Sequence, residues 1–465
     1  MDYLYLLATL LFVFGIKNLT SVKTCLRGNK LSQLGMLVAI ATTLVVMTDI
    51  SWPLVAGGVL LGAAIGAVIA KRTPTTSMPE MVAALNGLGG VASAFVAMAD
   101  LLQSDVMKKD GVSLWQTGAI HALSTPIAIL IGMLTLTGSF VAYFKLSGRK
   151  LAHPVKGSAR HALHALLGIG LIACASWQIL ATDGAGLTIS TVAVALIASI
   201  LGVFLVLPIG GADMPVVVSL LNSYSGIAGA ASGFVIQNPL LIVVGALVGT
   251  SGLILTQIMC KAMNRSLGNV LLGGMGEESV AKDAKDYKST KSATPEEVAM
   301  LLEGASSVVM VPGYGLAVAQ AQHTLRELGE LLQKRGATVR YAIHPVAGRM
   351  PGHMNVLLAE SDVPYDQLWE MERINSDFKN TDVVIVVGAN DVVNPAAREA
   401  TGPIAGMPIL DVDQARTVVV IKRSLAPGYA GIKNPLFELP NTLMVFLDAK
   451  EALEGMVKEV KELGR

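Results

Sequence analysis

Residues 187–208 read LTISTVAVALIASILGVFLVLP and contain no charged side chain. An α-helix rises 1.5 Å per residue, so this run is long enough to cross the ~30 Å hydrocarbon core of a bilayer. Similar apolar runs fill the chain up to about residue 263, and together they predict nine transmembrane helices. These lie near residues 3–21, 33–50, 53–70, 80–101, 116–145, 161–181, 187–208, 214–236 and 238–262.

Composition agrees with a membrane location for this half. The 465-residue chain is 52% hydrophobic and only 15% charged, with a mean hydropathy of +0.59. The net charge of +1 gives no indication of a nucleic-acid partner. Cys25, Cys174 and Cys260 lie far apart without the spacing of metal ligands, so we interpret them as small core residues. No metal site is expected, and the first apolar run lacks the basic start of a cleavable signal.

Basic residues predict the orientation of the helices. The predicted loops on one side carry thirteen Lys and Arg residues, whereas those on the other carry two, Lys108 and Lys109. Because cytoplasmic loops are enriched in basic residues, we expect the N-terminus outside and the C-terminal half in the cytoplasm. The absence of a targeting segment favours a bacterial inner (plasma) membrane.

Two predicted helices repeat one pattern. Residues 78–92 read MPEMVAALNGLGGVA and residues 214–228 read MPVVVSLLNSYSGIA, which places Asn86 and Asn222 at equivalent positions. Each lies about 10–12 Å from its helix start, within the hydrocarbon. The two amides either hold helices together by hydrogen bonds or line a polar path, and their equivalent depths favour the path.

Before the two repeated helices stand Ser77 and Asp213, residue types that cap helix N-termini. The glycine four residues after each Asn, Gly90 and Gly226, lies on the same helix face. We therefore expect a close helix contact at each of these glycines.

The C-terminal part has a different organisation. We predict a transmembrane domain at residues 1–263, a Gly-rich and charged flexible linker at 264–292, and a nucleotide-binding domain at 293–465. Strands alternate with helices in the last of these, which predicts an α/β Rossmann-like domain with a parallel sheet. The predicted strands are residues 307–311, 338–343, 383–387, 417–421 and 443–447.

The first of these strands runs into PGYGLAVAQ at residues 312–320, which is followed by a helix. A strand, a Gly-rich bend and a helix N-terminus are the elements that bind a pyrophosphate in dinucleotide folds. Gly313 and Gly315 fit the fingerprint, but Val318 replaces its third glycine. The motif therefore indicates a dinucleotide site with moderate specificity.

Charge near the predicted site distinguishes between the two nicotinamide nucleotides. The second strand ends at His344, with no Asp or Glu to accept the ribose hydroxyls of NAD. Arg349 follows nearby, and Lys422 and Arg423 follow a later strand. Because a 2′-phosphate pairs with such cations, we favour NADP(H), although Lys422 and Arg423 also fit a solvated strand end.

Residues 388–395, GANDVVNP, follow the third strand at the sheet edge where such folds bind ligands. Asp391 in this segment is either an ordinary turn or cap residue or a group that contacts the nucleotide. The residues alone leave both interpretations open.

Several long motifs together resemble one family. The chain is similar to the beta subunit of proton-translocating NAD(P) transhydrogenase over nearly its full length. The most specific motifs are at Gly210–Gly226, Met259–Arg265, Pro312–Gln322, Ile343–Glu360, Gly388–Ala397, Lys422–Ser424 and Gly428–Phe437.

The resemblance implies that this chain binds NADP(H), in an orientation flipped relative to most Rossmann folds. It implies that Lys422 and Arg423 hold the 2′-phosphate and that the loop with Tyr429 forms a lid. The full set of cofactor-binding residues that it predicts is Gly313, Tyr314, Gly315, Ala317, Val318, Val346, Ala347, Gly348, Arg349, Met350, Pro351, Gly388, Ala389, Asn390, Asp391, Val392, Lys422, Arg423, Ser424, Gly428, Tyr429, Asp448 and Ala449.

The resemblance also implies a set of residues for proton translocation. It places Asn222 on the proton path, Asp213 at the interface between membrane and nucleotide domains, and Asp391 in the link between nucleotide state and protonation. Many bacterial relatives have a titratable His where this chain has Asn86. Because Asn cannot titrate, we expect the carrier to be a His in a helix of the partner subunit.

The predicted enzyme is an oxidoreductase and translocase that couples hydride transfer from NADH to NADP⁺ to inward proton movement. Only one dinucleotide fold is evident, so alpha subunits are expected to bind NAD(H), in a dimer of the heteromeric unit. The main alternative is an ion channel or transporter gated by a cytoplasmic nucleotide-sensing domain, and a second is a membrane-anchored NADPH oxidoreductase. The missing third glycine and the absence of a filter sequence disfavour the channel, and nine spans disfavour a simple anchor.

Overall fold

The computed structural model describes residues 2–19, 24–46, 51–74, 77–108, 111–149, 158–210, 213–264, 266–273, 287, 289–402, 404–428 and 430–463. The chain divides into two compact units. The first, here called the bundle, comprises Met1–Pro208 and Val217–Thr256, and the second, the sheet unit, comprises Ile209–Val216 and Gln257–Arg465. Each unit is described by itself. Most of the predicted linker at 264–292 lies outside the described residues.

The N-terminal half consists of helices. Their bounds are α1 Asp2–Leu19, α2 Cys25–Val46, α3 Trp52–Arg72, α4 Met78–Gln103, the short α5 Asp105–Lys108, α6 Ala119–Leu146, α7 Ser158–Leu180, α8 Gly184–Val206, α9 Met214–Val235 and α10 Pro239–Ala262. Among the described residues, eight helices are long and apolar enough to cross a membrane, and α1 is a shorter apolar helix. Each of the nine predicted spans falls on one of these helices.

Helix starts differ from the sequence predictions in two places. Helix α2 starts at Cys25 rather than near residue 33, because its first turns carry Arg27 and Lys30 and are polar yet helical. Ser77 precedes α4 as predicted, but its side chain makes no cap hydrogen bond and a proline occupies the first turn instead. That proline has no N–H to leave unsatisfied, so the helix starts without the predicted side-chain cap.

Glycines allow helix backbones in the bundle to approach closely. A Cβ added at Gly90 of α4 would lie 2.8 Å from the carbonyl oxygen of Gly132 in α6. One added at Gly226 of α9 would lie 2.9 Å from the carbonyl oxygen of Gly245 in α10. The predicted close contacts at Gly90 and Gly226 are therefore confirmed. Without a side chain, each position lets two helices pack backbone against backbone.

Seven parallel strands are present in the described part of the sheet unit. Their bounds are β1 Lys291–Ser292, β2 Ser307–Pro312, β3 Thr338–Ile343, β4 Leu368–Glu370, β5 Val383–Val387, β6 Thr417–Ile421 and β7 Thr442–Val445. The order across the sheet is β1-β7-β6-β5-β2-β3-β4, and every pair is parallel. All five predicted strands are confirmed. The sequence did not indicate β1 and β4, which have two and three residues and no apolar run.

Helices cover both faces of the sheet. They are α11 Pro295–Glu303, α12 Tyr314–Ala319, α13 Gln322–Lys334, α14 His353–Glu360, α15 Met371–Ile374 and α16 Ala449–Leu463. Alternate side chains of the central strands enter two separate apolar cores, one on each face. The strand order reverses between β2 and β5, and the loops that follow these two strands diverge from this point. Such a switch point is where open parallel sheets bind ligands.

Candidate functional site

A cavity of about 470 Å³ opens at the carboxyl edge of the sheet. Its walls come from the segments that follow β2, β3, β5, β6 and β7, on both sides of the switch point. The predicted site residues that line it are Gly313, Tyr314, Gly315, Val318, Val346, Ala347, Gly348, Gly388, Ala389, Asn390, Asp391, Val392, Lys422, Arg423, Ser424, Gly428, Asp448 and Ala449. The topology therefore brings together residues that are up to 136 positions apart in the chain (449 − 313).

Two glycine turns meet at the base of this cavity. The Gly315 N–H donates to the carbonyl oxygen of Gly388 at 2.9 Å. A Cβ at Gly315 would lie 2.6 Å from the Gly388 Cα, and Gly388 has a left-handed φ of +65°. The turns after β2 and β5 can interlock only because both positions are glycine.

The missing third glycine of the fingerprint has a local explanation. That glycine normally lets a helix pack closely on its strand. Here Val318 is 46% exposed and lines the cavity. Helix α12 ends within two residues, where Gln320 takes a left-handed conformation. Close packing is not needed at this position, so valine is tolerated.

The loop after β3 is held by two buried histidines that sequence analysis did not assign to the site. The Nε2–H of His344 donates to the carbonyl oxygen of Pro408 at 2.8 Å, and its Nδ1 accepts from the Val346 N–H at 3.2 Å. The Nδ1 of His353 accepts from the Arg349 N–H at 3.0 Å. The loop has no hydrophobic periodicity, so the sequence gave no signal for their burial.

Both histidines are uncharged at neutral pH. Burial lowers the pKa of His344 to about 4. Burial and then the nearby Arg349 charge lower the pKa of His353 to about 4. The Arg349 guanidinium stacks over the Tyr314 ring, 4.3 Å from its centroid. A neutral imidazole can accept the backbone N–H that fixes this loop, whereas an imidazolium cannot.

The carboxylate of Asp391 contacts the loop after β6. Its Oδ2 accepts from the Ala430 N–H at 3.0 Å, and a Cβ at Gly428 would lie 2.5 Å from its oxygens. The side chain of Asp391 therefore bonds to a loop that follows a different strand. An ordinary turn residue would bond only within its own turn. Tyr429, between these two loop residues, lies outside the described part of the chain.

The cations after β6 differ in their surroundings. Lys422 is partly buried, and its Nζ donates to the carbonyl oxygen of Ala426 and lies 5.4 Å from the Phe437 ring centroid. Burial lowers the pKa of Lys422, and the Asp391 charge opposes that shift. Arg423 is exposed and lines the cavity. Lys422 is therefore more enclosed than a solvated strand end.

A family model described as NAD(P) transhydrogenase beta subunit matches residues 1–459 of this chain. The chain belongs to the NAD(P) transhydrogenase beta subunit family. Two relatives named NAD(P) transhydrogenase subunit beta, from Rhodospirillum rubrum and from one strain of that species, are each 47% identical to it. Each match covers 461 residues, which is 98% of this chain and 97% of the relative.

Membership of the transhydrogenase beta family confirms the predicted function class. The chain is a membrane subunit of a proton-coupled NAD(P) transhydrogenase, and its enzymatic activity belongs to a complex. The name of the family implies nicotinamide nucleotides as substrates and an alpha subunit as partner. The gated channel and the anchored oxidoreductase are therefore set aside.

Some predicted site residues of this beta subunit do not line the cavity. Ala317 is 1% exposed and belongs to the apolar core. Arg349, Met350 and Pro351 lie in the loop after β3 but outside the lining. Conversely, sequence analysis did not identify an apolar part of the wall formed by Ile404, Met407, Ile421 and Leu447. Apolar lining residues have no motif of their own, so only the fold reveals them.

The polar residues predicted for proton translocation have varied surroundings. Asn86 is buried, and its Nδ2–H donates to the carbonyl oxygen of Val218 in α9 at 3.2 Å. Asn222 is partly buried and lies in α9, one helical turn after Val218. Asp213, just before α9, is fully buried. Asn86 thus joins two helices, as the first interpretation of the repeated Asn residues required, and its place on a polar path stays a prediction.

Proposed function

We propose that this beta subunit binds NADP(H) in the cavity at the sheet switch point, while the alpha subunit presents NAD(H). One observation carries this assignment: Lys422 and Arg423 line the cavity, and the acidic residue that would hold an unphosphorylated ribose is missing after β3. A 2′-phosphate has about two negative charges, which two cations can pair.

The remaining contacts follow the geometry of the turns. The N–H groups of Gly313, Gly315 and Gly388 all donate to backbone carbonyl oxygens, so these glycines act through their lack of side chains. The two interlocked turns would form the base of the cavity on which the pyrophosphate lies. Tyr314, held by the Arg349 stack, and residues Val346–Gly348 form one side, and Asp448 and Ala449 form another. The bound nucleotide supplies or accepts the hydride, and these residues position its nicotinamide and exclude water.

For coupling, we assign Asp391 and the loop of Gly428 and Ala430 as the element whose closure depends on charge. The Ala430 N–H bond requires an acceptor oxygen on Asp391, so a change of charge there alters the hold on the loop. Tyr429 is the proposed lid residue. Asp213 is the proposed link to protonation in the membrane, with Asn86 and Asn222 on the path. Differential affinity for NADP⁺ and NADPH in two protein states is what coupling requires.

The magnitude of the driving force is sufficient for this reaction. A proton that falls through ~200 mV supplies about 4.6 kcal/mol, at about 2.3 kcal/mol per charge per 100 mV. At about 1.4 kcal/mol per decade, this can bias the ratio of NADPH to NADP⁺ by roughly 10³. Inward proton movement would therefore favour hydride transfer from NADH to NADP⁺.

The proposed orientation has the N-terminus outside and the sheet unit in the cytoplasm of a bacterial inner membrane. It rests on the excess of basic residues in the loops assigned to the cytoplasmic side. A dimer of the alpha–beta unit is the proposed assembly.

Nucleotide titration of the purified complex tests the assignment. Lys422→Gln should weaken NADPH binding by about 10- to 100-fold and leave the weak binding of NADH unchanged, because only the 2′-phosphate contact is lost. Lys450→Gln on α16, a residue that does not line the cavity, is the matched control and should bind as wild type. Equal loss for both nucleotides, or no loss for either, would contradict the proposed phosphate contact.

A further inference from the structure

A histidine and a carboxylate pair at one end of the bundle. His121, near the start of α6, has its Nε2 2.8 Å from Oδ2 of Asp100, near the end of α4. The two side chains are 17% and 30% exposed. Their chain neighbours Leu101 and Ala122 belong to a buried apolar cluster at this end of the bundle. The pair is therefore held by packed helices yet retains contact with the surroundings.

The second ring nitrogen of His121 also has a hydrogen-bond partner. Nδ1 of His121 lies 3.0 Å from Oγ1 of Thr117. The single hydroxyl hydrogen of Thr117 is already donated to the carbonyl oxygen of Leu114, at 2.7 Å. Thr117 can therefore only accept from the ring, so Nδ1 must carry a hydrogen. Because an ionised carboxylate also only accepts, Nε2 must carry one as well, and the arrangement fits an imidazolium beside a carboxylate.

The alternative state needs only a small rearrangement. If the ring loses the proton on Nδ1, the Thr117 hydroxyl can turn from Leu114 and donate to that nitrogen. The bond to Asp100 stays intact throughout. His121 can thus gain and lose one proton while its ring keeps its position.

A line of polar groups leads from this pair into the bundle. Asn86, Ser93 and Asp100 are seven residues apart on α4, so they share one helix face. Asp100 is about 21 Å along the helix axis from Asn86, with Ser93 midway. The face of α4 that carries them packs on α9, where Ser232 Oγ donates to the Ser93 carbonyl oxygen at 2.8 Å. Asn86 donates to the Val218 carbonyl oxygen at 3.2 Å.

Other ionisable groups near the pair are engaged elsewhere. Among the described side chains at this end, Asp183 caps α8 and accepts from the Gly186 N–H at 2.7 Å. His164 of α7 lies at the opposite end of the bundle, where its Nε2 is 3.3 Å from the carbonyl oxygen of Phe204 near the end of α8. The positioned proton-exchanging group on this polar line is therefore His121.

We propose that Asp100 and His121 form the proton-loading station of this subunit, at the end of the polar line opposite Met78. The proposal rests on the proposed function, in which protons cross the bundle. One proton from the adjacent aqueous phase binds to Nδ1 of His121, and the Asp100 carboxylate balances the charge. The Nε2 proton then passes to Asp100 and onward along the line toward Asn86, which returns the ring to its neutral state. In the proposed orientation this end faces outside, the source of protons for inward movement.

The test uses the complete alpha–beta complex in lipid vesicles, with an imposed proton gradient and NADPH formation as the readout. His121→Gln keeps an amide donor for Asp100 but cannot titrate, so gradient-driven hydride transfer should fall on the order of 100-fold. Asp100→Asn should have a similar effect, while Asp100→Glu should restore part of the rate. NADPH affinity of each variant should match wild type. His164→Gln is the control and should retain gradient-driven transfer.

The outcomes separate this proposal from the one on which it rests. If wild type responds to the gradient and His121→Gln responds equally, with the same pH profile, the loading role is wrong and the proposed function stands. A wild-type complex that ignores the gradient would overturn both. Should His121→Gln fail to assemble, Thr117→Val removes the hydroxyl that accepts from Nδ1 and with it the bond to the Leu114 carbonyl oxygen, but keeps His121 and Asp100. Thr117→Val should lower the gradient-driven rate of NADPH formation and alter its pH profile, and Thr117→Ser should restore both. A wild-type rate and pH profile for Thr117→Val would overturn the proposal.

Discussion

Glycine serves the two units of this subunit in different ways. In the bundle, Gly90 and Gly226 keep ordinary helical backbone and only remove a side chain, which lets two helix backbones touch. In the sheet unit, Gly388 both removes a side chain and takes a left-handed φ of +65°. An added side chain at Gly90 or Gly226 therefore meets only a steric clash. An added side chain at Gly388 meets a steric clash and also a backbone conformation that L-residues disfavour. This difference predicts which site is more sensitive to a single methyl group.

The largest effect is expected for Gly388→Ala. The new Cβ would overlap the Gly315 backbone in a conformation that alanine disfavours, so we expect a loss of about 3 kcal/mol or more in the free energy of unfolding. NADPH binding should be lost as well. Denaturant unfolding followed by a spectroscopic signal of the sheet unit measures this. Gly304→Ala, with open space around it and a negative φ, is the control. Similar stability for the two variants would refute the role of the interlocked turns.

A smaller effect is expected for Gly226→Ala in α9. Its Cβ would press on the backbone of Gly245 and Gly249 but would keep a helical φ, so α9 and α10 can separate slightly. We expect a loss of about 2 kcal/mol, the usual range for overpacking. Thermal unfolding in detergent provides the measurement, with Gly168→Ala of α7, which has open space around it, as the control. An effect as large as that of Gly388→Ala would remove the distinction between the two units.

The sequence predicted more of the scaffold than of the site. The nine apolar helices and five strands were evident because hydrophobic periodicity and turn residues report burial directly. The glycine turns and Lys422 were evident because their chemistry is local. The short strands β1 and β4 were not, since a pair of residues such as Lys291–Ser292 carries no pattern. The apolar wall at Ile404 and Met407 is created by loops that approach only after folding.

Protonation could be predicted even less, and histidine illustrates the reason. His121 of the bundle faces a carboxylate and a hydroxyl oxygen, an arrangement that suits an imidazolium. His344 and His353 of the sheet unit each accept a backbone N–H, an arrangement that requires a neutral ring. The residue type is identical, and only the atoms brought around it by tertiary structure decide its charge.

This contrast predicts a smaller, pH-dependent effect on the sheet unit. The pKa of His344 and of His353 is about 4 when folded, against 6.5 for an ordinary histidine. Above pH 6.5 both rings are neutral whether folded or unfolded, so neither affects stability. As the pH falls from 6.5 toward 4, the unfolded chain binds protons that the folded chain does not. Stability is therefore lost, by about 1–2 kcal/mol per histidine at pH 5.

Denaturant unfolding of His353→Gln at pH 7 and pH 5 isolates this contribution. The variant is expected to be less stable than wild type at pH 7, because the amide fits the His353 site less well, but to lose less stability on acidification. The informative quantity is the change in the free energy of unfolding between the two pH values, compared between variant and wild type. Its absolute value at one pH is not informative, because other groups titrate in both proteins. His323→Gln, at an exposed position of α13, should keep the wild-type slope. If His353→Gln and wild type lose stability equally between these two pH values, His353 is protonated in the folded subunit. The backbone N–H of Arg349 would then need another acceptor, and the loop beside the proposed nucleotide cavity would be held in some other way.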